Sequence, residues 1–196
     1  MKLFKTKKTR ENDSKYNKIL DGVYDCIGAS AFSVSLLVII FSFFFGLVTV
    51  VGHSMDNTLA EEQRLVIRKY NIDPQYKDIV IITRPNYEDP KLSQIPIIKR
   101  VIAVAGETVD IKDGKVFIDG AELDEPYAKT ETFTSVNPRK TEFPLRVEEG
   151  RVFVLGDNRG DSHDSRDKDI GQVDINDILG IVEVRINPMS EFGRVE

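Results

Sequence analysis

IIKRVIAVAGETVDIKDGKVFIDG, residues 97–120, decides the fold. Ile97 to Val104 is a β-type run, apolar except for Lys99 and Arg100. Downstream, VDIK and KVFI alternate in character on either side of Asp113-Gly114. Asp-Gly closes tight two-residue hairpins because both central residues need positive φ, and Asp119-Gly120 marks a second turn directly after the first pair. Working outward, the same reading predicts strands at Leu65 to Arg68, Asp78 to Thr83, Thr108 to Ile111, Lys115 to Ile118, Arg151 to Leu155 and Ile178 to Ile186. No repeat of 20–50 residues is visible, which excludes solenoids and propellers. The stretch from Lys129 to Glu149, rich in Thr, Pro and charge, reads as an extended loop or edge within a small β insertion spanning about 107–150.

Upstream of this mainly β domain the chain changes character. Cys26 to Gly52 holds no charged residue, and Leu36 to Val51 is almost wholly apolar. Ile27 to Val51 as a helix reaches about 38 Å, against a hydrocarbon core of about 30 Å, so the last turns leave the lipid and Val48 to Val51 can begin a strand. The run is longer than the apolar core of a cleaved signal peptide and no tidy small-residue site follows it, which favours an uncleaved anchor. Seven basic residues precede it against four acidic ones, so the positive-inside rule keeps the N-terminus cytoplasmic. Of the 27 basic and 32 acidic residues in the chain, the remaining 20 and 28 follow Gly52, giving a mildly acidic outer domain. The division is a cytoplasmic tail at 1–25, a transmembrane anchor at 26–51 and an extracytoplasmic domain at 52–196. This charge balance excludes the cationic footprint of a nucleic-acid binder. Cys26, alone in the sequence, forms no internal disulfide.

Three segments carry candidate chemistry: GHSMDNTL (Gly52 to Leu59), IIKRVIAVAGE (Ile97 to Glu107) and GDNRGDSHDSR (Gly156 to Arg166). Lys99 lies in an apolar run, and alternation puts it on a face with Ile97, Val101 and Ala103. Burial of that face removes hydration from the ammonium and lowers its pKa, as a lysine base requires. A fall from about 10.4 to about 8 costs roughly 3 kcal/mol. Histidine is the usual base for a serine, and the chain has two. His53 adjoins Ser54 and points to the other side of an extended segment. His163, flanked by acids, leaves a Ser54-His163-Asp triad open beside a Ser54-Lys99 pair.

These segments resemble the conserved boxes of bacterial type I signal peptidases. GHSMDNTL is similar to the nucleophile box, KDIVII (Lys77 to Ile82) to the second box, IIKRVIAVAGE to the lysine box and GDNRGDSHDSR to the last box, in the same order and spacing. The single span and small outer domain look like the Gram-positive form. The resemblance implies Ser54 as nucleophile, Lys99 as base and Ser162 as a hydrogen-bonding orienter of the lysine. It implies Asp157, Arg159, Asp164 and Arg166 as a supporting charged network. Val48, Val50, Met55, Leu59, Ile97 and Ile98 match positions lining pockets for two small substrate side chains. The Ser54 amide matches one arm of an oxyanion hole, while Gly52 stands where some relatives add a hydroxyl. Asn57, Ala105 and Glu107 depart from the usual proline, proline and aspartate, and the loss of proline at 57 is expected to loosen the turn by less than about 1 kcal/mol.

The resulting expectation is one transmembrane helix, then a mainly β catalytic domain with a small β insertion. It removes signal peptides from exported preproteins, needs no cofactor or metal, and has the signal peptide and the lipid bilayer as partners. A self-cleaving Ser-Lys regulator and an inactive tethered scaffold are the rival readings; the anchor and the lack of a DNA-binding module speak against the first.

Overall fold

A computed structural model describes residues 7–83, 96–133 and 140–195, with side chains from Tyr16 onward. Residues 1–6 of the basic tail, Ile95, and residues 134–139 of the Thr- and Pro-rich stretch lie outside the described residues. The chain divides into two units, Met1–Phe43 and Phe44–Glu196.

The first unit is helical: α1 runs over Lys7–Phe44, 38 residues. It begins within the expected tail, which contains no proline to interrupt it. Its Tyr16–Phe44 portion, 29 residues, is long and apolar enough to cross a membrane, and its apolar window is uncovered by the rest of the protein. Two of its serines bond back to the helix backbone: Ser33 Oγ donates to Ala29 O at 2.8 Å and Ser42 Oγ to Ile39 O at 2.7 Å.

The second unit opens on a strand earlier than the composition predicts. Composition reads the anchor as 26–51 with a strand able to begin at Val48, whereas β1 covers Phe45–Thr49, paired antiparallel with β2 (Arg64–Arg68) from Phe45↔Arg68 to Thr49↔Arg64. An apolar β-capable run such as FGLVT reads alike as helix or strand until a partner strand claims its backbone groups. The other described strands are β3 (Ile79–Ile82), β4 (Ile97–Val104), β5 (Thr108–Lys112), β6 (Lys115–Ile118), β7 (Ala121–Glu122), β8 (Leu145–Arg146), β9 (Arg151–Leu155), β10 (Val173–Asp174) and β11 (Ile178–Asn187). They form a seven-stranded sheet in the order β1-β2-β11-β3-β4-β9-β10 and a four-stranded sheet in the order β7-β6-β5-β8. The hairpin at Asp113-Gly114 is present, with φ of 49° and 79° at its centre.

β3 lies mid-sheet and is buried on both faces. Ile79 and Ile81 enter one apolar cluster with Val50, Met55, Leu59, Leu65, Ile67 and Ile98, while Val80 and Ile82 enter a second with Val101, Val152 and Val154. A third cluster, around Ile102, Ala103, Val109 and Phe153, joins the small sheet to the large one. β4 supplies all three because its register shifts between Val101 and Ala103 against β9. Simple alternation therefore fails for Ala103: the bulge turns it away from the Ile97–Val101 face into the third cluster.

Candidate active site

Ser54 sits in the turn that follows β1, pinned on either side by buried Val50 and Met55, each 2% exposed. Its Oγ lies 2.8 Å from Lys99 Nζ, which also donates to Ile98 O at 3.0 Å. Lys99 stands on β4 opposite Val80 and is 3% exposed. Burial pulls its pKa down from 10.5 to about 8; Asp164 and then Asp157 pull it partly back, and Arg166 adds to the fall. A lysine at about 8 is neutral in roughly one molecule in ten at pH 7, against well under one in a thousand when solvated. Neither histidine holds the serine: His163 Nε2 is 2.7 Å from Asp169 Oδ2 and its Nδ1 3.4 Å from Asp167 Oδ2, while His53 is exposed beside Asp56 and Glu61.

The last box wraps this pair. Asn158 N donates to Ser54 O and Asn158 Nδ2 to His53 O, each at 3.0 Å, so the nucleophile turn hangs from the loop after β9. Gly156 makes that approach possible: a Cβ there would lie 2.5 Å from Ser54 O and 2.2 Å from Ser162 Oγ. The expected hydrogen bond from Ser162 to Lys99 is not formed. Ser162 Oγ is buried beside Gly156 and Asp164, and Ile98 O takes the second place on Nζ.

Asp157, Arg159, Asp164 and Arg166 of the last box are paired inside the protein. Asp164 accepts from Arg166 Nε at 2.8 Å, Arg166 Nη2 at 2.9 Å and Gly156 N at 3.1 Å. Burial alone would raise the Asp164 pKa, but the Arg166 hydrogen bond and charge outweigh it and hold the carboxyl below its usual value. Asp157 receives a two-pronged grip from Arg100, Nε to Oδ1 at 2.9 Å and Nη2 to Oδ2 at 2.7 Å, with Thr58 Oγ1 donating to Oδ2 at 2.5 Å. Arg159 is clamped by Glu125 through Nη1 at 2.9 Å and Nη2 at 2.7 Å, and also bonds Thr132 Oγ1. Burial opposes the charge on Arg159, but Glu125 raises its pKa regardless. Tyr127 fills the gap between both guanidinium groups, its ring 4.1 Å from Arg100 Cζ and 6.0 Å from Arg159 Cζ.

Beside Ser54 and Lys99 opens a groove of about 290 Å³, lined mainly by apolar side chains. Val48, Val50, Gly52, Met55, Ile97 and Ile98 all line it, together with Ile81 and Pro96. Leu59 does not: it is 1% exposed and packs in the first core cluster.

A family described as signal peptidase, peptidase S26, matches residues 24–187, a span that takes in all four boxes. The chain belongs to that family. It is accordingly a serine endopeptidase. Signal peptidase I of Bacillus licheniformis is 31% identical over 183 residues, covering 90% of this chain and 95% of that protein. Signal peptidase IB of Staphylococcus aureus strain Mu50 is 33% identical over 162 residues, covering 74% and 78%. A crystal structure of a signal peptidase I from Enterococcus faecalis V583, 32% identical, aligns with 56% of this chain and 96% of the solved one at a TM-score of 0.44.

Within this signal peptidase family member, the sequence reading missed Arg100, Thr58, Asn158, Tyr127 and Glu125. Arg100 carried a usable signal. A guanidinium in an apolar run must find a carboxylate when buried, and the last box offers several. Asn158 and Tyr127 act through backbone and ring contacts that their residue types do not announce. The Lys129–Glu149 stretch is also less peripheral than its composition suggests. Lys129 N donates to Asp157 O and Thr141 N to Arg166 O, both at 2.8 Å.

Proposed function

We propose that the protein is a membrane-anchored endopeptidase that removes signal peptides from exported preproteins, with Ser54 as nucleophile and Lys99 as its base. The observation that carries the reading is the 2.8 Å approach of Ser54 Oγ to a lysine that is 3% exposed. In the neutral form the Lys99 amine accepts the Ser54 proton as Oγ attacks the scissile carbonyl, and then returns it to the leaving amine. The Ser54 N–H, which donates to no acceptor among the described residues, faces the developing oxyanion. A substrate segment extends along the groove, its small side chains entering between Val48, Met55, Ile97 and Ile98. α1 supplies the anchor, with the basic N-terminal end in the cytoplasm and the β unit outside.

Cleavage of a preprotein in trans by the purified full-length protein, lost in Ser54→Ala, tests the assignment; a Ser54→Ala protein that still cuts removes it. The pH profile tests the base. With the Lys99 pKa lowered to about 8, the rate climbs with pH and levels off above that value. A limb near 6.5 would hand the role to a histidine, and one near 10 would mean a solvated lysine.

A further inference from the structure

The turn that carries Ser54 is built around Asn57, whose φ is 96°. Proline, the usual residue of the family here, is locked near −65° and does not fit this backbone. Met55 O accepts from Thr58 N at 3.1 Å and from Leu59 N at 2.8 Å, so Asn57 occupies the third place of a tight turn. Positive φ at that place selects glycine or asparagine. Asparagine does more than permit the bend, because its Nδ2 donates to Tyr127 O at 3.0 Å, across 70 residues of sequence.

Tyr127 is itself fixed, 8% exposed with its ring against the Arg100 guanidinium. The same segment touches the turn a second time, where Lys129 Nζ lies 3.4 Å from Asp56 Oδ2. It also holds the last box, through Lys129 N to Asp157 O and Glu125 to Arg159. Asn158 of that box in turn donates to Ser54 O. Residues 125–129 thus grip both the nucleophile turn and the loop from which it hangs.

We propose that residues 125–129 form a strap which, through Asn57, sets Ser54 Oγ within proton-transfer distance of Lys99. Asn57 is then a positioning residue, an inference that rests on the Ser54/Lys99 reading above. It reverses the expectation that losing proline merely loosens the turn.

Asn57→Gly, Asn57→Ala and Asn57→Pro in the full-length protein, in detergent micelles, test the strap by two readouts. The first is kcat and KM for a preprotein; the second is amide hydrogen exchange at Asn158, whose N–H donates to Ser54 O. Glycine keeps the backbone and loses one hydrogen bond, so kcat falls about fivefold with KM moving less than about twofold. Alanine falls further because it resists positive φ, and proline falls furthest, about a hundredfold, because it misplaces the nucleophile. Asn158 exchange quickens in the same order. Should the proline variant fail to fold, the order of glycine above alanine decides. A proline variant as fast as the parent, or glycine and alanine variants with parental kcat and exchange, overturns the strap. A parent that does not cut, with Asn158 exchange still following the order, overturns the cleavage reading and leaves the strap standing.

Discussion

If Ser54 and Lys99 act as proposed, Ser54→Ala and Lys99→Met are each expected to abolish cleavage of a preprotein by the full-length protein, Lys99→Met while raising thermal stability. The two losses are expected to be equal in kind because the proposal makes the residues one proton-transfer unit, so the double variant should be no slower than either single one. The gain in stability follows from the lowered lysine pKa. The unfolded chain holds the Lys99 proton up to about 10.5, whereas the folded one releases it near 8. At pH 7 the fold therefore carries a burial penalty of about 3 kcal/mol that methionine does not incur. As pH rises from about 8 to about 10.5 the parent gains stability and the advantage of methionine shrinks. Thermal melts of both proteins at pH 7 and pH 10 check this. Residual cleavage near the parental rate in either variant removes the pair from the mechanism, and a methionine variant less stable than the parent removes the buried ammonium. His163→Ala, by contrast, retains most activity; a loss as deep as that of Lys99→Met would restore the histidine triad.

Asp157→Ala destabilises the protein by about 3–5 kcal/mol, the range for stranding one partner of a buried ion pair. Arg100 is 0% exposed, and Asp157 accepts two of its hydrogen bonds as well as that of Thr58. Removing the carboxylate takes from the buried guanidinium its two-pronged ion-pair partner. Replacing both partners, as in Arg100→Met with Asp157→Leu, costs less than Asp157→Ala alone, since no charge is then left unpaired. Urea unfolding of the three proteins measures the difference. A loss below about 1 kcal/mol in Asp157→Ala would mean that water reaches Arg100 and that the pair is not sealed.

Much of this was legible from residue types. A lysine in an apolar strand marked Lys99 as a candidate base, but residue types left His163 open beside it and only the resemblance of the four boxes chose between them; the strands around Asp113-Gly114 were legible because two-residue turns leave a local signature. The features that escaped are those where a distant partner decides. Phe45 to Thr49 are apolar enough for a helix and become a strand through pairing with β2. The shift between Val101 and Ala103 depends on β9, 50 residues away, and no alternation in β4 alone foretells it. Leu59 matched a pocket position by type, yet its side chain closes the core under the nucleophile turn. Asn57 looked like a lost proline because the sequence shows the missing ring and not the φ of 96° or the carbonyl of Tyr127.

The spacing between Ser54, Lys99 and Gly156 sets when in the life of the chain chemistry begins. The serine and its lysine are 45 residues apart, and the loop that suspends the serine is about 100 residues further on than the turn it holds. Such long-range contacts form late in folding. Until β3, β4 and β9 have closed around it, Lys99 is solvated, protonated at any physiological pH, and unable to take a proton. On the proposed mechanism, a nascent or partly folded chain is therefore chemically silent. The same burial that costs the folded protein stability acts as its safety catch, released only by completing the sheet.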